Sequence, residues 1–273
     1  MTSNRYSNIG ARALCLLLVS ALSLWSLPAV AQSTPERLSD KDVKALIDQV
    51  DEGRDKFEGN LDGKFKGSTL QGQGPAGETK VAGALQDYQD STKKLKDRFT
   101  PKYSASAEVL TVLKQSASIH TFMQGSPDAM KGRSEWDRQT GILKRLAAAY
   151  GATFPLAEGA VVRRMNDGEA AGFAEEIAEA ADEFKHDLDK ATAPPTPERT
   201  AAKKELDVLI KHAKDVKSRV GDGKPATAQV RQLLEQAAKL QAHFTANPLP
   251  TMSNWDAVQA SLGKLQQAFN LTP

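Results

Sequence analysis

Apolar residues recur at steps of three and four along most of this chain. Val81, Leu85, Tyr88, Thr92, Leu95 and Phe99 step 4-3-4-3-4, and Ala202, Leu206, Leu209, Ala213, Val216 and Val220 repeat those steps 121 residues later. Such a period puts each set on one face of a helix. Similar stripes predict helices over residues 39–61, 79–99, 104–124 and 135–150, and again over 167–190, 198–220, 227–245 and 254–269. Abundant Ala, Leu, Lys, Glu, Asp and Gln, with 6% aromatics, favour helix over sheet throughout.

The two series of stripes are copies. "SEWDRQTGILKRLAAAY" from Ser134 and "SNWDAVQASLGKLQQAF" from Ser253 align at an offset of 119, which sets Trp136 on Trp255, Leu143 on Leu262, Leu146 on Leu265 and Tyr150 on Phe269. At an offset of 121, Val109 meets Val230, Gln115 meets Gln236, Ile119 meets Leu240 and Pro127 meets Pro248. At 127, "RLSD" from Arg37 meets "RMND" from Arg164, and Phe57 and Leu61 meet Phe184 and Leu188. The offset changes only between stripes, in 63–78 against 190–198 and near 125–133, where loops tolerate insertion.

An isolated amphipathic helix cannot hide its apolar face, whose burial is worth about 25 cal/mol per Å². Four such helices per copy predict an all-α protein of two tandem up-down four-helix bundles, in residues 32–155 and 156–273. Pro155 is expected to stop the fourth helix, with 151–164 joining the copies. Ser39 and Asn166 read as N-caps, and Ser134–Asp137 and Ser253–Asp256 read as S-x-x-D capping boxes. Trp136, Trp255, Phe57 and Phe184 are expected in the cores. The alanines at 170, 174, 178 and 181 predict closer helix approach in the second copy. An up-down order would bring Asp40 near Arg98 and Asp167 near Arg219. Gln115 and Gln236 flank the stripes, where they either bond a neighbouring helix or line a groove.

The first residues do not fit this scheme. Arg5 and Arg12 precede the apolar run "ALCLLLVSALSLWSL", and Ala29-Val30-Ala31 closes it as an A-x-A cleavage site. Residues 1–31 therefore read as a secretory signal peptide, placing the mature chain in the periplasm or outside the cell. The run is shorter than the roughly 20 residues a spanning helix needs, so no transmembrane helix is expected in the mature chain. Its loss removes the lone Cys15 and two of the 36 basic residues, leaving 34 bases against 34 acids. A neutral chain offers no basic field for nucleic acid.

Candidate chemistry is sparse. Glu183 and His186 form an E-x-x-H, the spacing of di-iron carboxylate helices, but the first copy offers only "DKFE" from Asp55 and no histidine. His186 lies two residues from Phe184 and from Leu188, which turns it towards solvent. His120, His212 and His243 sit in three different stripes without ligand spacing. No Walker loop, G-x-S-x-G, G-x-G-x-x-G or C-x-x-C-H occurs. The glycine-rich 63–78 lacks Gly-Lys-Ser/Thr and reads as a flexible connection. No metal or cofactor is expected, and no enzyme.

"F-x-x-x-L-D", "L-K-D-R-F", "V-L-x-V-L-K-Q-S-A-S-I" and "W-D…L…L-A-A-A-Y" together resemble a recurring helical repeat of secreted bacterial proteins with no assigned activity. The resemblance covers nearly the whole mature chain and weakens in the second copy, where Val220 stands for Phe99. It implies no site residue. The expected function is an exported, non-catalytic helical protein acting by surface contacts, through a groove between the copies, on an unidentified protein or envelope partner. The alternative is small-ligand or metal binding inside one bundle, which needs Gln115, His120, Gln236 or His243 to converge.

Overall fold

Capping chemistry starts the chain's helices where side-chain oxygens are free to accept backbone N–H groups. The structure, a computed structural model, describes residues 36–61, 63–71, 78–125, 132–190, 196–247 and 252–271. Residues 1–31, Pro127 and Pro248 lie outside them, as do parts of the loops at which the repeat offset changes. Among the described residues the protein is all-α apart from one short hairpin. The elements are α1 (Asp40–Asn60), α2 (Gly63–Lys66), β1 (Thr69–Gln71), β2 (Glu78–Lys80), α3 (Val81–Arg98), α4 (Ser106–Gly125), α5 (Arg133–Ala149), α6 (Asp167–Lys190), α7 (Pro197–Gly221), α8 (Thr227–Ala246) and α9 (Ser253–Ala268). The stretch expected to be a bare flexible loop thus carries α2 and an antiparallel pair in which Leu70 faces Thr79.

Ser39 accepts from the Asp42 amide while Asp42 accepts from the Ser39 backbone, a complete capping box at the start of α1. Asn166 and Glu169 make the matching exchange at α6, at 2.8 and 2.7 Å. The two expected boxes at Ser134 and Ser253 do not form. The N-cap of α5 is Gly132, in the left-handed region at φ 90°, where a Cβ would come within 3.4 Å of the Asn60–Leu61 backbone. The end of α1 thus packs against the start of α5, and Ser134, two residues into the helix, donates to Glu135 at 2.8 Å instead. Met252 caps α9 without a side-chain bond, leaving Ser253 as the first helical residue.

Pro155 does not stop α5 either. The helix ends at Ala149 in a Schellman turn: Gly151, at φ 69°, donates to Ala148 O and Ala152 to Ala147 O. The repeat equivalent Asn270, at φ 50°, donates to Gln267 O, and Leu271 to Gln266 O. α5 and α9 are thus ended by the same device.

α1 lies against α3 and α5, and α4 closes the ring by touching α3 and α5. Likewise α6 lies against α7 and α9, and α8 completes that ring. Each quartet encloses its own core. The first contains Phe57, Leu85, Leu113, Trp136 and Leu143 and runs on through Phe154 to Val162. The second contains Phe184, Leu206, Leu233, Phe244, Trp255 and Leu262. Ala170, Ala174, Ala178 and Ala181 are all buried, and the α6 backbone keeps close to its neighbours for longer than that of α1. The described residues from Glu36 onward form one compact unit in which the two cores are separate clusters, and their boundary is bridged by the segments that precede α1 and α6.

Candidate functional site

The segments that precede α1 and α6 meet at that boundary and bond each other reciprocally. Arg37 pairs with Asp167 at 2.6 Å, and Arg164, its repeat equivalent, pairs with Asp40 at 2.7 Å. The Asp40 amide donates to Asp167 at 2.7 Å and the Asp167 amide donates to Asp40 at 2.8 Å. Arg37 donates to Met165 O and Arg164 to Leu38 O, both at 2.8 Å. The Arg37 amide reaches Thr227 and the Arg164 amide reaches Ser106, both at 3.2 Å. Residue i meets j while the copy of j meets the copy of i, as across a two-fold axis.

This geometry corrects the expected acid–arginine approaches. Both oxygens of Asp40 are committed across the seam, so Arg98 turns to Glu108 at 3.0 Å and stacks on Tyr103. Asp167 is similarly committed, and Arg219 reaches Asp215 at 3.4 Å and donates to Pro225 O at 3.1 Å. Burial, then the neighbouring Arg164, pulls the Arg37 guanidinium below its ordinary pKa against the opposing pull of Asp167. The Arg37 guanidinium also lies over the Phe269 ring, 5.3 Å from its centroid.

The seam holds a pocket of about 300 Å³. Ala149 and Gly151 line it from the end of α5, and their equivalents Ala268 and Asn270 line it from the end of α9. Arg163, Arg164, Met165 and Val161 come from the linker, and Val161 is 76% exposed. A larger hollow of about 550 Å³ between β1 and α4 has no charged lining residue, and Leu70 and Gly125 on its wall lead towards 72–77 and 126–131, outside the described residues.

Trp136 and Trp255 are each 1% exposed, packed on Phe57 at 4.8 Å and on Phe184 at 5.8 Å between ring centroids. Each indole N–H finds an acceptor at an equivalent position: His120 Nδ1 at 3.2 Å and Gln241 Oε1 at 2.6 Å. With Nδ1 accepting, neutral His120 carries its proton on Nε2, and the Gln124 carboxamide 2.9 Å away accepts it when its oxygen is the end turned to the ring. Gln236 bonds the neighbouring α7 through Glu205 O and Oε2, at 3.2 and 2.5 Å. The Gln115 oxygen is buried with no partner in the structure. Gln115 and His120 border one core while Gln236 and His243 border the other, so the structure does not bring them together. His186 is exposed, 3.7 Å from Asp182, and no group of three or more His, Cys, Asp or Glu among the described residues is placed to hold a metal ion.

A polar layer inside the first core escaped the sequence reading. Gln139, fully buried, donates through Nε2 to Val50 O at 2.9 Å and to the Tyr88 hydroxyl at 2.7 Å. Burial raises the Tyr88 pKa, which keeps the phenol neutral. Arg54, 1% exposed, pairs with Asp51 and Asp55, both at 2.9 Å. The equivalents of Arg54, Tyr88, Thr92 and Gln139 are Ala181, Leu209, Ala213 and Val258. The signal was present: Val50, Arg54, Phe57 and Leu61 step 4-3-4, so Arg54 falls in phase with the core.

Compared with known families, curated proteins and solved structures, the chain matches none.

Proposed function

We propose that this chain is an exported, non-catalytic protein of two tandem up-down four-helix bundles, made by copying one unit, that acts by surface contacts in the periplasm or cell envelope. The carrying observation is the reciprocal seam. Its buried charges are spent on each other and on backbone groups, which suits a scaffold that fixes the relation of two surfaces. Among the described residues no serine hydroxyl bonds a histidine, and the ring of His120 is engaged by Trp136 and Gln124. The resemblance to secreted helical repeats and the leader-like residues 1–31 support export. Among the described residues no helix is long and apolar enough to cross a membrane.

Two measurements test the reading. Intact mass of the chain recovered from the periplasm should correspond to a start at Gln32. Photo-crosslinking from position 161 in envelope fractions should trap a defined partner that a variant crosslinked from exposed Glu179 does not trap. A chain retained in the cytoplasm at full length, or a turnover activity in the purified protein, overturns it.

A further inference from the structure

We infer that the seam pocket binds a small organic anion, a carboxylate on a short apolar body, through Arg163. The paired charges Arg37, Asp40, Arg164 and Asp167 balance one another, so the exposed guanidinium of Arg163 is the uncompensated charge among the residues that line the pocket. Arg163 is held by its backbone, which donates to Tyr150 O at 3.0 Å, and its guanidinium meets no carboxylate among the described residues. No acidic residue lines the pocket. Besides Arg164 and Tyr150, whose hydroxyl is committed to Ser104 O, its polar side chains are the carboxamides of Gln267 and Asn270, which make no side-chain bond among the described residues and so can donate to an anion.

The repeat supplies a second, independent observation. Arg37 Nε donates to Ala268 O at 3.1 Å. The symmetric bond, from Arg164 Nε to Ala149 O, is not made, and Arg164 Nε is buried with no partner. Both Arg164 and Ala149 line the pocket. The two-fold is therefore broken at this cavity, on the side where donors are left in excess. The carbonyls of the two helix ends that would repel an anion are largely engaged by the Schellman turns and by Arg37.

The remaining wall selects what the anion is attached to. Val161, Met165, Ala149 and Ala268 are apolar, and about 300 Å³ is the lower end of the range for ligand pockets. A planar guanidinium fork matches a carboxylate in two parallel bonds. A fatty-acid-sized head with a few methylenes fits both halves of the surface, and an inorganic ion uses only one. The inference shares its surface with the function proposed above but is separable from it: a failed titration leaves the crosslinking result standing, and a failed crosslink leaves the titration standing.

The test is an amide-shift titration of the chain from Gln32 with hexanoate, with hexanol and inorganic phosphate as controls. Saturable shifts at Gly151 and Asn270 are expected with hexanoate, at least several-fold tighter than with either control. Arg163→Ala should weaken hexanoate about tenfold or more, the loss of a charge-assisted pair, and Arg163→Lys should restore part of it. Val161→Glu, which puts a like charge on the rim, should abolish the shifts without disturbing the fold. Equal affinity for hexanol, equal affinity for phosphate, an unchanged affinity in Arg163→Ala, or no saturable shift each overturns the inference.

Discussion

Replacing Gly53 with alanine should destabilise this protein even though alanine is the better helix former. In an exposed helix the change gains about 1 kcal/mol. Here a Cβ on Gly53 would stand 2.0 Å from Gln139 Oε1 and 3.1 Å from its Cδ. The carboxamide must rotate away, giving up its bonds to Val50 O and the Tyr88 hydroxyl. Orphaning buried polar groups costs about 1–3 kcal/mol and an off-rotamer side chain about 1 more. Set against the helical gain, the net loss is about 2 kcal/mol, or about 4–8 °C in Tm for a chain of this size. The aligned positions of the second half carry the compensated solution, with Ala180 against Gly53, Val258 against Gln139 and Leu209 against Tyr88. In a Gln139→Val/Tyr88→Phe background the same Gly53→Ala change should therefore become stabilising, by up to about 1 kcal/mol. Urea unfolding followed by far-UV circular dichroism reads both values. A Gly53→Ala effect of the same sign in the two backgrounds would refute the reasoning.

Burial, reinforced by Lys144 and Arg133, lowers the His120 pKa, so the unfolded chain takes up that proton more readily than the folded one. The stability it contributes is complete above the unfolded value of about 6.5 and is lost as pH falls through the folded value. Since Trp136 donates to the His120 lone pair, its emission should change on acidification while that of Trp255, bonded to Gln241, stays constant. His120→Gln should abolish the titration, and a titration that persists there refutes the assignment. Asp167→Ala should cost about 3 kcal/mol by stranding the buried Arg37, and Arg37→Ala/Asp167→Ala should cost at least 1 kcal/mol less than the two single losses together; strict additivity in urea would show the seam pairing to be energetically idle. Ser39→Ala should cost about 1 kcal/mol, whereas Ser134→Ala should stay within about 0.5 kcal/mol. Equal losses by thermal melting would restore Ser134 as a cap.

Helix positions were legible because each stripe is buried on one side only, and the period of burial is local information. All eight long helices start and end within a few residues of the expected limits; α6 spans the expected 167–190. Caps were legible only where the sequence neighbours decide them. Ser39 and Asn166 each have an acid three residues on and a free approach, whereas Ser134 loses its place to Gly132 because α5 must begin against the backbone of Asn60. The seam was half legible. An offset of 127 showed that Arg-x-x-Asp recurs at Arg37 and Arg164. It carried no sign that the copies exchange partners, because an exchange and a self-pairing leave the same pattern along the chain. Reading Asp40 with Arg98 assumed that each copy satisfies its own charges. The polar layer was missed for the opposite reason: Arg54 and Gln139 are polar by type and drew no reading, although their phase puts them inside.

Crossed pairing at the seam also sets an order of events. Thr227, the acceptor for the Arg37 amide, lies 190 residues downstream, and Ala268, the acceptor for Arg37 Nε, lies 231 residues downstream. The stretch that emerges ahead of the first helix is thus among the last to find its place, since its seat does not exist until the final helix has been synthesised. Loop closure over such distances is slow compared with the formation of a helical hairpin. A ribosome or a membrane pore releasing this chain from its front end would hold a nearly finished molecule whose opening residues are still unbuckled.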